Sequence, residues 1–197
     1  ERDTRSEPEQ PPASGPCPEG MVFIAGGPYV RGVEGPPNPD MPWREPARAV
    51  QIEDYCIDRY EYPNVAGERP QGVSWDQADG LCRERGRRLC SSSEWERACR
   101  GTARWFYSYA EPHDPQRCNT PVQGGGVEGP SPVAGSGAFS DCHSPEGVYD
   151  LNGNLSEWVS DAWSEFAPPF EPDVVVDPAT WRTVRGGTMW NETFYGQ

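Results

Sequence analysis

The sequence contains no lysine, and all 17 of its basic residues are arginine. Set against 31 acidic residues, this gives a formal net charge of −14. A field of that sign repels nucleic acid phosphates and anionic membrane surfaces, so we expect no nucleic-acid binding. The acids favour cationic partners or hard metal ions instead.

Histidine is scarce, and the two present, His113 and His143, are interpreted as loop surface residues rather than ligands. None of the seven cysteines forms a CxxC pair, which disfavours a zinc site. Cysteine usage this heavy indicates disulfides in an oxidising compartment. An odd number leaves at least one thiol unpaired, or paired outside this chain. The cysteines are Cys17, Cys56, Cys82, Cys90, Cys99, Cys118 and Cys142.

Long hydrophobic runs are also missing, and hydrophobic residues make up only 35% of the chain. No membrane-spanning run or signal peptide is visible, so we expect that any export signal has been removed. Glycine (22) and proline (23) are abundant, and tryptophan and tyrosine (8 each) must supply much of the core. This composition predicts one loop-rich domain over residues 17–197, preceded by a disordered linker or tail over residues 1–16.

Strand and helix signals occupy short segments. The stretch "MVFIAGGPYVRG" predicts two strands separated by a Gly-Gly turn, "AVQIEDYCIDRYEY" one irregular strand, and "WRTVRGGTMW" a strand that runs into a Gly-Gly turn. Two helices are predicted, each opened by a capping box: Ser74 with Gln77, and Ser91 with Glu94. Gly86 and Gly101 are the predicted C-terminal stops. The inward faces are Trp75, Ala78 and Leu81/Cys82 in the first helix, and Trp95, Ala98 and Cys99 in the second.

From Thr102 to Gly147 the chain shows only turn signals. A loop of this length in a compact domain is usually functional, or held by a ligand or a disulfide. Cys118 and Cys142 flank its loosest part, so we predict a disulfide between them. A second disulfide is predicted between Cys17 and Cys56.

The stretch "GVYDLNGNLSEW", residues 147–158, has two acids, three amide or hydroxyl side chains and one glycine between its two aromatic residues. So polar a stretch predicts a solvent loop, yet Tyr149 and Trp158 flank it and should anchor its two ends in the core. Carboxylates beside carbonyls on a tightly curved backbone suit Ca²⁺, and Gly153 permits that curvature. The alternative is a capped Asx-turn whose acids face water. The sequon at Asn154 lies inside the turn, and neither it nor the one at Asn191 is given weight.

Five motifs in order resemble the formylglycine-generating enzyme family, also called sulfatase-modifying factors. They are "GMVFIAGGPYVRG", "YCIDRYEYPN", "GVSWDQADGLCRERGRRLCSSSEWERACRG", "GVYDLNGNLSEWVSD" and "VRGG". The resemblance covers nearly all of residues 17–187. It implies the family's α+β fold, related to C-type lectins, with little regular secondary structure, two short helices, and loops braced by calcium and disulfides.

The resemblance also implies a structural calcium site in this turn. Carried over by position, the ligands are the side chains of Asp150 and Glu157 and the main-chain carbonyls of Gly153 and Leu155. The family's second calcium site looks degenerate: Asn119 matches one ligand, and Glu128 is the only candidate for the partner acid.

Family enzymes oxidise a cysteine of a sulfatase peptide with O₂ and Cu(I), which two cysteines after the RGG motif bind. RGG is Arg185–Gly187 here, and the two cysteine positions fall on Asn191 and Gly196. Soft Cu(I) requires thiolates, so no copper is expected. Family members also continue past Gln197 with cysteines that pair with those at the Cys82 and Cys99 positions. The resemblance therefore implies that the C-terminal end of the domain is missing.

Three functions remain open. The first, which we favour, is a non-catalytic binding or scaffolding domain with calcium and a protein or peptide partner, possible envelope components among them. The second is an oxidase of the family with a variant active site, so the sequence leaves catalysis undecided. The third is a lectin-like module, on fold analogy alone. We expect an extracytoplasmic location: secreted, periplasmic or on the cell surface, with a lipid anchor through the N-terminal linker as one option.

Overall fold

A computed structural model describes residues 16–35, 45–110, 112, 114–120, 133–162 and 182–187. Within these ranges six short strands pair as three two-stranded antiparallel sheets: β1 with β4, β2 with β3, and β5 with β6. Two short helices complete an α+β fold with little regular secondary structure, as predicted. The elements are β1 Met21–Ile24, β2 Gly27–Arg31, β3 Arg48–Ile52, β4 Tyr55–Asp58, α1 Trp75–Glu84, α2 Ser92–Arg100, β5 Glu157–Ala162 and β6 Arg182–Arg185.

The four strands before α1 form two sheets in a nested order, with the inner two strands paired and the outer two paired. Both strands around the Gly-Gly turn form, but β1 pairs with β4 while β2 pairs with β3. The prediction of one irregular strand after them was wrong. The strand is interrupted between Ile52 and Tyr55, and its two halves, β3 and β4, belong to different sheets. Gly26 lies against this break: a Cβ there would be 2.3 Å from the Ile52 carbonyl oxygen. Its N–H donates to Asp54 Oδ1 at 2.8 Å.

Both helices begin and end where the sequence predicts. The capping boxes of Ser74 with Gln77 and of Ser91 with Glu94 are formed in both directions. Gly86 and Gly101 adopt φ of 68° and 63°, in the left-handed region where glycine is favoured. Each box satisfies two backbone N–H groups that a helix start leaves unpaired.

The predicted inward faces differ in how deeply they are buried. In α2, Trp95, Ala98 and Cys99 are all buried, as predicted. In α1 no residue is fully buried. Trp75 is half-buried, with its indole N–H donating to the Val159 carbonyl at 2.8 Å and the Arg182 guanidinium 4.3 Å from the ring centroid. The first helix therefore packs on one edge of the domain.

The main core brings together both N-terminal sheets, α2 and the segment from Val148 to Val159. Its buried members are Val22, Ile24, Tyr29, Ile52, Tyr55, Ile57, Trp95, Ala98, Cys99, Val148, Leu151 and Val159. A smaller cluster joins Tyr109 to Cys118 and Cys142. As expected from the composition, aromatic rings contribute to both clusters.

Both predicted disulfides are confirmed, Cys17–Cys56 and Cys118–Cys142. Cys82, Cys90 and Cys99 carry free thiols. The described part of the long loop contains turns, as predicted from its turn signals, and an isolated bridge joins His143 to Tyr149. Among the described residues, no helix is long and apolar enough to cross a membrane. Of the predicted linker, residues 1–15 lie outside the described ranges.

The strand β5 was missed by the sequence reasoning. It begins at Glu157 and pairs with the predicted strand β6, placing Glu157 opposite Arg185 and Trp158 opposite Val184. A register shift between Trp158 and Ala162 interrupts the ladder. Such irregular strands lack a clean alternation of polar and apolar residues, which explains why the pattern gave no signal.

Candidate functional site

The acidic turn, defined as residues 147–158, is a buried part of the molecule. Asp150, Asn152 and Asn154 are only 2%, 4% and 1% exposed. The expectation of a solvent loop was therefore wrong. The alternative of an Asx-turn whose acids face water does not fit Asp150, because this residue is buried. Buried polar groups must find partners inside the protein, which makes the contacts of this turn informative.

The backbone of the turn is tightly curved. Asp150, Gly153 and Asn154 all have positive φ, at 60°, 86° and 59°. At Gly153 a Cβ would come within 2.4 Å of the Asn119 carbonyl oxygen, so only glycine fits. The predicted role of Gly153 in the curvature agrees with this geometry.

The two aromatic residues that flank the turn hold its ends. Tyr149 stacks on Tyr60 with ring centroids 5.1 Å apart, and its backbone N–H donates to the Arg59 carbonyl at 2.9 Å. Trp158 donates from its indole N–H to the Val73 carbonyl at 2.8 Å. Both rings are half-buried, whereas the polar residues between them are buried more deeply. The rings therefore anchor the turn from the edge of the core.

The two predicted carboxylate ligands each accept one hydrogen bond. Asp150 Oδ2 accepts from the Gly137 N–H at 2.7 Å, and burial raises the pKa of Asp150 to about 6. Glu157 Oε2 accepts from the indole N–H of Trp95 at 2.5 Å. Part of the Glu157 residue is exposed, but its carboxyl group lies inside, and burial together with the charge of Glu61 raises its pKa well above the usual range.

A third buried carboxylate, Glu61, follows the C-terminal end of β4 and forms hydrogen bonds with the turn. The sequence analysis did not predict this role. Its Oε1 accepts from the Leu155 N–H at 3.1 Å, and its Oε2 accepts from Asn154 Nδ2 at 2.6 Å and from the Ser136 hydroxyl at 3.3 Å. Burial is the main cause that raises its pKa to about 7. The only sequence signal for Glu61 was its position in the motif "YCIDRYEYPN". The residues around it give no indication that it contacts residues more than 90 positions away.

Asn154 is the second missed residue. Its Oδ1 accepts from Asn119 Nδ2 and from the Ala134 N–H, both at 2.9 Å, while its Nδ2 donates to Glu61. It therefore joins the turn to two segments of the long loop. At 1% exposure its side chain is closed to glycosylation in the folded protein.

The donor set of the turn fits a hard cation. Among the described residues, no arginine pairs with Asp150, Glu157 or Glu61, so three buried carboxylates have no positive partner. Within the same ranges no hydrogen bond reaches the carbonyls of Gly153 and Leu155. Oxygens of these two kinds are the ligands that Ca²⁺ prefers, and burial of unpaired charge is otherwise costly.

The structure also limits what such a site could be. The described residues contain no group of three or more His, Cys, Asp or Glu side chains that could hold a metal. A cation in the acidic turn would therefore depend on main-chain oxygens and water for much of its coordination.

For the degenerate second calcium site, Asn119 supports Asn154, and Glu128 lies outside the described residues. The second calcium site stays a prediction.

The RGG segment lies directly beside the acidic turn. Arg185 is buried and donates to Glu45 Oε2 at 3.1 Å. Gly186 accepts a hydrogen bond from the Gly153 N–H at 3.0 Å. The two positions where the family has copper ligands, Asn191 and Gly196, lie outside the described residues, as does His113. His143 is half-buried, with Nδ1 2.9 Å from the Ser144 carbonyl oxygen.

A cavity of about 670 Å³ runs along β4 and is lined in part by the acidic turn, including Leu151, Glu157 and Trp158. Core side chains form its floor and two free thiols lie in its wall; among its lining residues are Tyr55, Ile57, Cys82, Cys90, Trp95 and Leu151. In the described part of the chain, β4 pairs with β1 alone, and all four β4 residues, Tyr55–Asp58, line this cavity.

Comparison with solved structures defines the class of fold. The chain superposes on PvdO from Pseudomonas aeruginosa with a TM-score of 0.58 and 20% identity, over 86% of this chain and 82% of that one. CarF gives a TM-score of 0.52 at 17% identity, over 86% of each chain. At these identities the likeness concerns the fold alone.

Residues 64–195 match the sulfatase-modifying factor enzyme 1-like domain. The chain therefore belongs to the formylglycine-generating enzyme family. It is 32% identical over 132 residues to the formylglycine-generating enzyme of Thermomonospora curvata, and this match covers 59% of this chain and 43% of that protein. It is 31% identical over 158 residues to a Mus musculus protein named inactive C-alpha-formylglycine-generating enzyme 2, covering 77% of this chain and 47% of the relative. The chain spans less than half the length of both.

Proposed function

We propose that this chain is a calcium-braced, non-catalytic binding domain of its family that works outside the cytoplasm. The observation that carries the proposal is the buried acidic turn: among the described residues, Asp150 and Glu157 have no cationic side chain as a partner, and the carbonyls of Gly153 and Leu155 accept no hydrogen bond. A bound Ca²⁺ would neutralise these carboxylates and tie the turn together. Its role in this position is structural, because the turn is an internal brace of the core.

The residues at two positions and the name of one relative support the proposal that this chain lacks the family's copper chemistry. Asn191 and Gly196 stand where family enzymes have the two cysteines that bind Cu(I), and neither side chain is a soft thiolate. A relative matched over 77% of this chain bears the name of an inactive enzyme. The relative from Thermomonospora curvata is named as an enzyme, so the oxidase alternative requires a direct assay.

The calcium proposal is tested by titration and thermal melting of the protein. We expect one Ca²⁺ per chain, with a dissociation constant on the order of 10⁻⁴ M or somewhat tighter, because two carboxylates give a site of low charge. Calcium binds the folded form, so EDTA should lower the melting temperature. Glu157→Gln keeps an oxygen for Trp95 but removes the charge, and it should abolish the response to calcium.

The matched control is Glu84→Gln, an exposed glutamate at the end of α1, which should respond to calcium like the wild type. An unchanged melting curve in EDTA, together with no heat of binding in the titration, would contradict the calcium proposal.

An extracytoplasmic location is supported by the two disulfides, which persist in oxidising compartments. Secretion, periplasmic residence or attachment to the cell surface would each satisfy this requirement. Fractionation of the source cells with antibody detection distinguishes them, and a protein found wholly in the cytosol would refute this part of the proposal. A lipid anchor through the N-terminal linker stays a prediction.

The cavity along β4 supports a peptide as the partner. An extended peptide could pair with the outer edge of β4 and place alternate side chains on the apolar floor. Peptides selected by display against the folded domain should protect Cys82 from alkylation, since this thiol lies in the cavity wall. Selected peptides that bind and leave Cys82 reactive would place the partner surface elsewhere.

A further inference from the structure

Two of the four predicted calcium-ligand residues make main-chain contacts with the RGG strand. Glu157 is the register partner of Arg185 in the β5–β6 pair. Gly153 donates its N–H to the Gly186 carbonyl at 3.0 Å. The RGG turn therefore covers the acidic turn on the side of β6.

Gly186 lies against the Glu157 carboxylate itself. A Cβ at position 186 would be 3.3 Å from Glu157 Oε2, 3.5 Å from the Leu151 carbonyl oxygen and 3.5 Å from the Trp95 ring. The φ of Gly186 is +88°, which other residues rarely adopt. A side chain here would press on the carboxylate and would contact the indole ring that holds it.

A buried ionic network fixes the end of β6 next to Gly186. Arg185 Nη2 donates to Glu45 Oε2 at 3.1 Å, and Arg31 Nη2 donates to the same oxygen at 2.5 Å. All three side chains are buried. Because β6 is held in this way, Gly186 cannot move aside without disturbing the core.

We infer that Gly186 is a positioning residue for the cation site, and that cation binding and docking of the RGG turn are coupled. The inference rests on the proposed calcium function. Gly186 sets the place of the Glu157 carboxylate and, through its carbonyl, the curvature at Gly153. Coupling of this kind is reciprocal: a cation that orders the acidic turn also orders the RGG turn.

The test compares Gly186→Ala with Gly86→Ala. Both glycines have positive φ, at +88° and +68°, but nothing lies within 4 Å of a Cβ at Gly86. Both variants therefore place alanine at a positive φ and share that backbone strain, but only the Gly186→Ala side chain contacts the candidate cation site. Calorimetric titration with CaCl₂ at a temperature where both variants are folded reports the dissociation constant separately from global stability.

Loss of a residue that positions a metal ligand typically weakens binding 10- to 100-fold, so we expect a loss of at least about tenfold for Gly186→Ala. Gly86→Ala should stay within about twofold of the wild type. Equal affinities for Gly186→Ala and the wild type would overturn the inference while leaving the calcium proposal intact. A wild type that binds no calcium would overturn both.

Hydrogen exchange of the wild type provides a second test that needs no variant. Calcium should slow exchange both in residues 147–158 and in residues 182–187, including the Gly153 amide that donates to Gly186. Protection confined to residues 147–158 would overturn the coupling, even if Gly186→Ala proves too unstable to titrate.

Discussion

Glu61 shows how one side chain can organise a turn that lies far away in sequence. Both of its carboxylate oxygens accept hydrogen bonds from the acidic turn, at Leu155 N–H and at Asn154 Nδ2. Burial and the nearby charge of Asp150 raise its pKa to about 7 from an ordinary 4.5. In the absence of a cation, the folded protein therefore holds this group protonated at a pH where the unfolded chain has released the proton.

The raised pKa of Glu61 predicts a pH-dependent stability for the cation-free protein. Between pH 4.5 and about 7 the unfolded state binds fewer protons than the folded state, so the free energy of unfolding should fall as the pH rises. The shift corresponds to about 3 kcal/mol over this window. Urea denaturation in EDTA at several pH values measures the change.

Two comparisons make this prediction specific. Glu61→Gln should make the profile less steep, because the amide does not titrate, while Asp150 and Glu157 still contribute in the same direction through their own raised pKa values. Saturating calcium should remove the decline, since the ionised carboxylates are the form that binds the cation. A stability in EDTA that rises from pH 4.5 to 7 would contradict the prediction.

Asn154 offers a second prediction at the scale of a single residue. Asn154→Ala removes four side-chain hydrogen bonds, among them those with Glu61 and Asn119, so we expect a loss of about 2–4 kcal/mol in the free energy of unfolding. The control is Asn64→Ala, which shares the positive φ and accepts from the Tyr60 N–H, but in a more exposed place. Its cost should be about 1 kcal/mol, and equal costs would argue against the role of Asn154.

Among the elements, the long loop depends on its disulfide to hold the acidic turn. Cys118 and Cys142 are 24 residues apart, and the segments beside them supply the contacts of Asn119, Ala134 and Gly137 to the turn. A covalent link lowers the entropy of the unfolded chain, more so for longer loops. This bond therefore stabilises both the domain and the candidate site.

Removing this disulfide should cost about 3.5 kcal/mol, on the chain-entropy estimate for a loop of this length. The measurement is urea unfolding of the double variant Cys118→Ser/Cys142→Ser, accompanied by a calcium titration that should show weaker binding. Cys82→Ser, which alters a free thiol outside the loop, is the control and should cost much less. A double variant with wild-type calcium affinity would show that the loop does not support the turn.

For the molecule as a whole, the sequence offers no thiolate at the family's copper positions. We predict that this chain, incubated with Cu(I), O₂ and a sulfatase-motif cysteine peptide, produces no formylglycine. Mass spectrometry of the peptide measures the product, and a family enzyme assayed in parallel confirms that the conditions permit the reaction. Product formed by this chain would overturn the non-catalytic proposal and favour the oxidase alternative.

Local signals in the sequence determined the helices, their caps and the strand before the RGG turn. A capping box is complete within four residues, so Ser74 with Gln77 and Ser91 with Glu94 could be identified without a structure. The disulfide around the long loop could be predicted because its cysteines flank a segment that needs bracing. The family motifs indicated the acidic turn and four candidate ligand residues in it; both these ligands and their cation stay predictions.

Only the tertiary structure decided which distant groups meet. Strand pairing sent β3 and β4 to different sheets although they are nearly continuous in the chain. The same packing buried the acidic turn, brought Glu61 to residues 93 and 94 positions away, and set Gly186 against Glu157. No local pattern encodes these contacts, because they arise from how the core closes around the turn, and burial in turn sets the pKa values there.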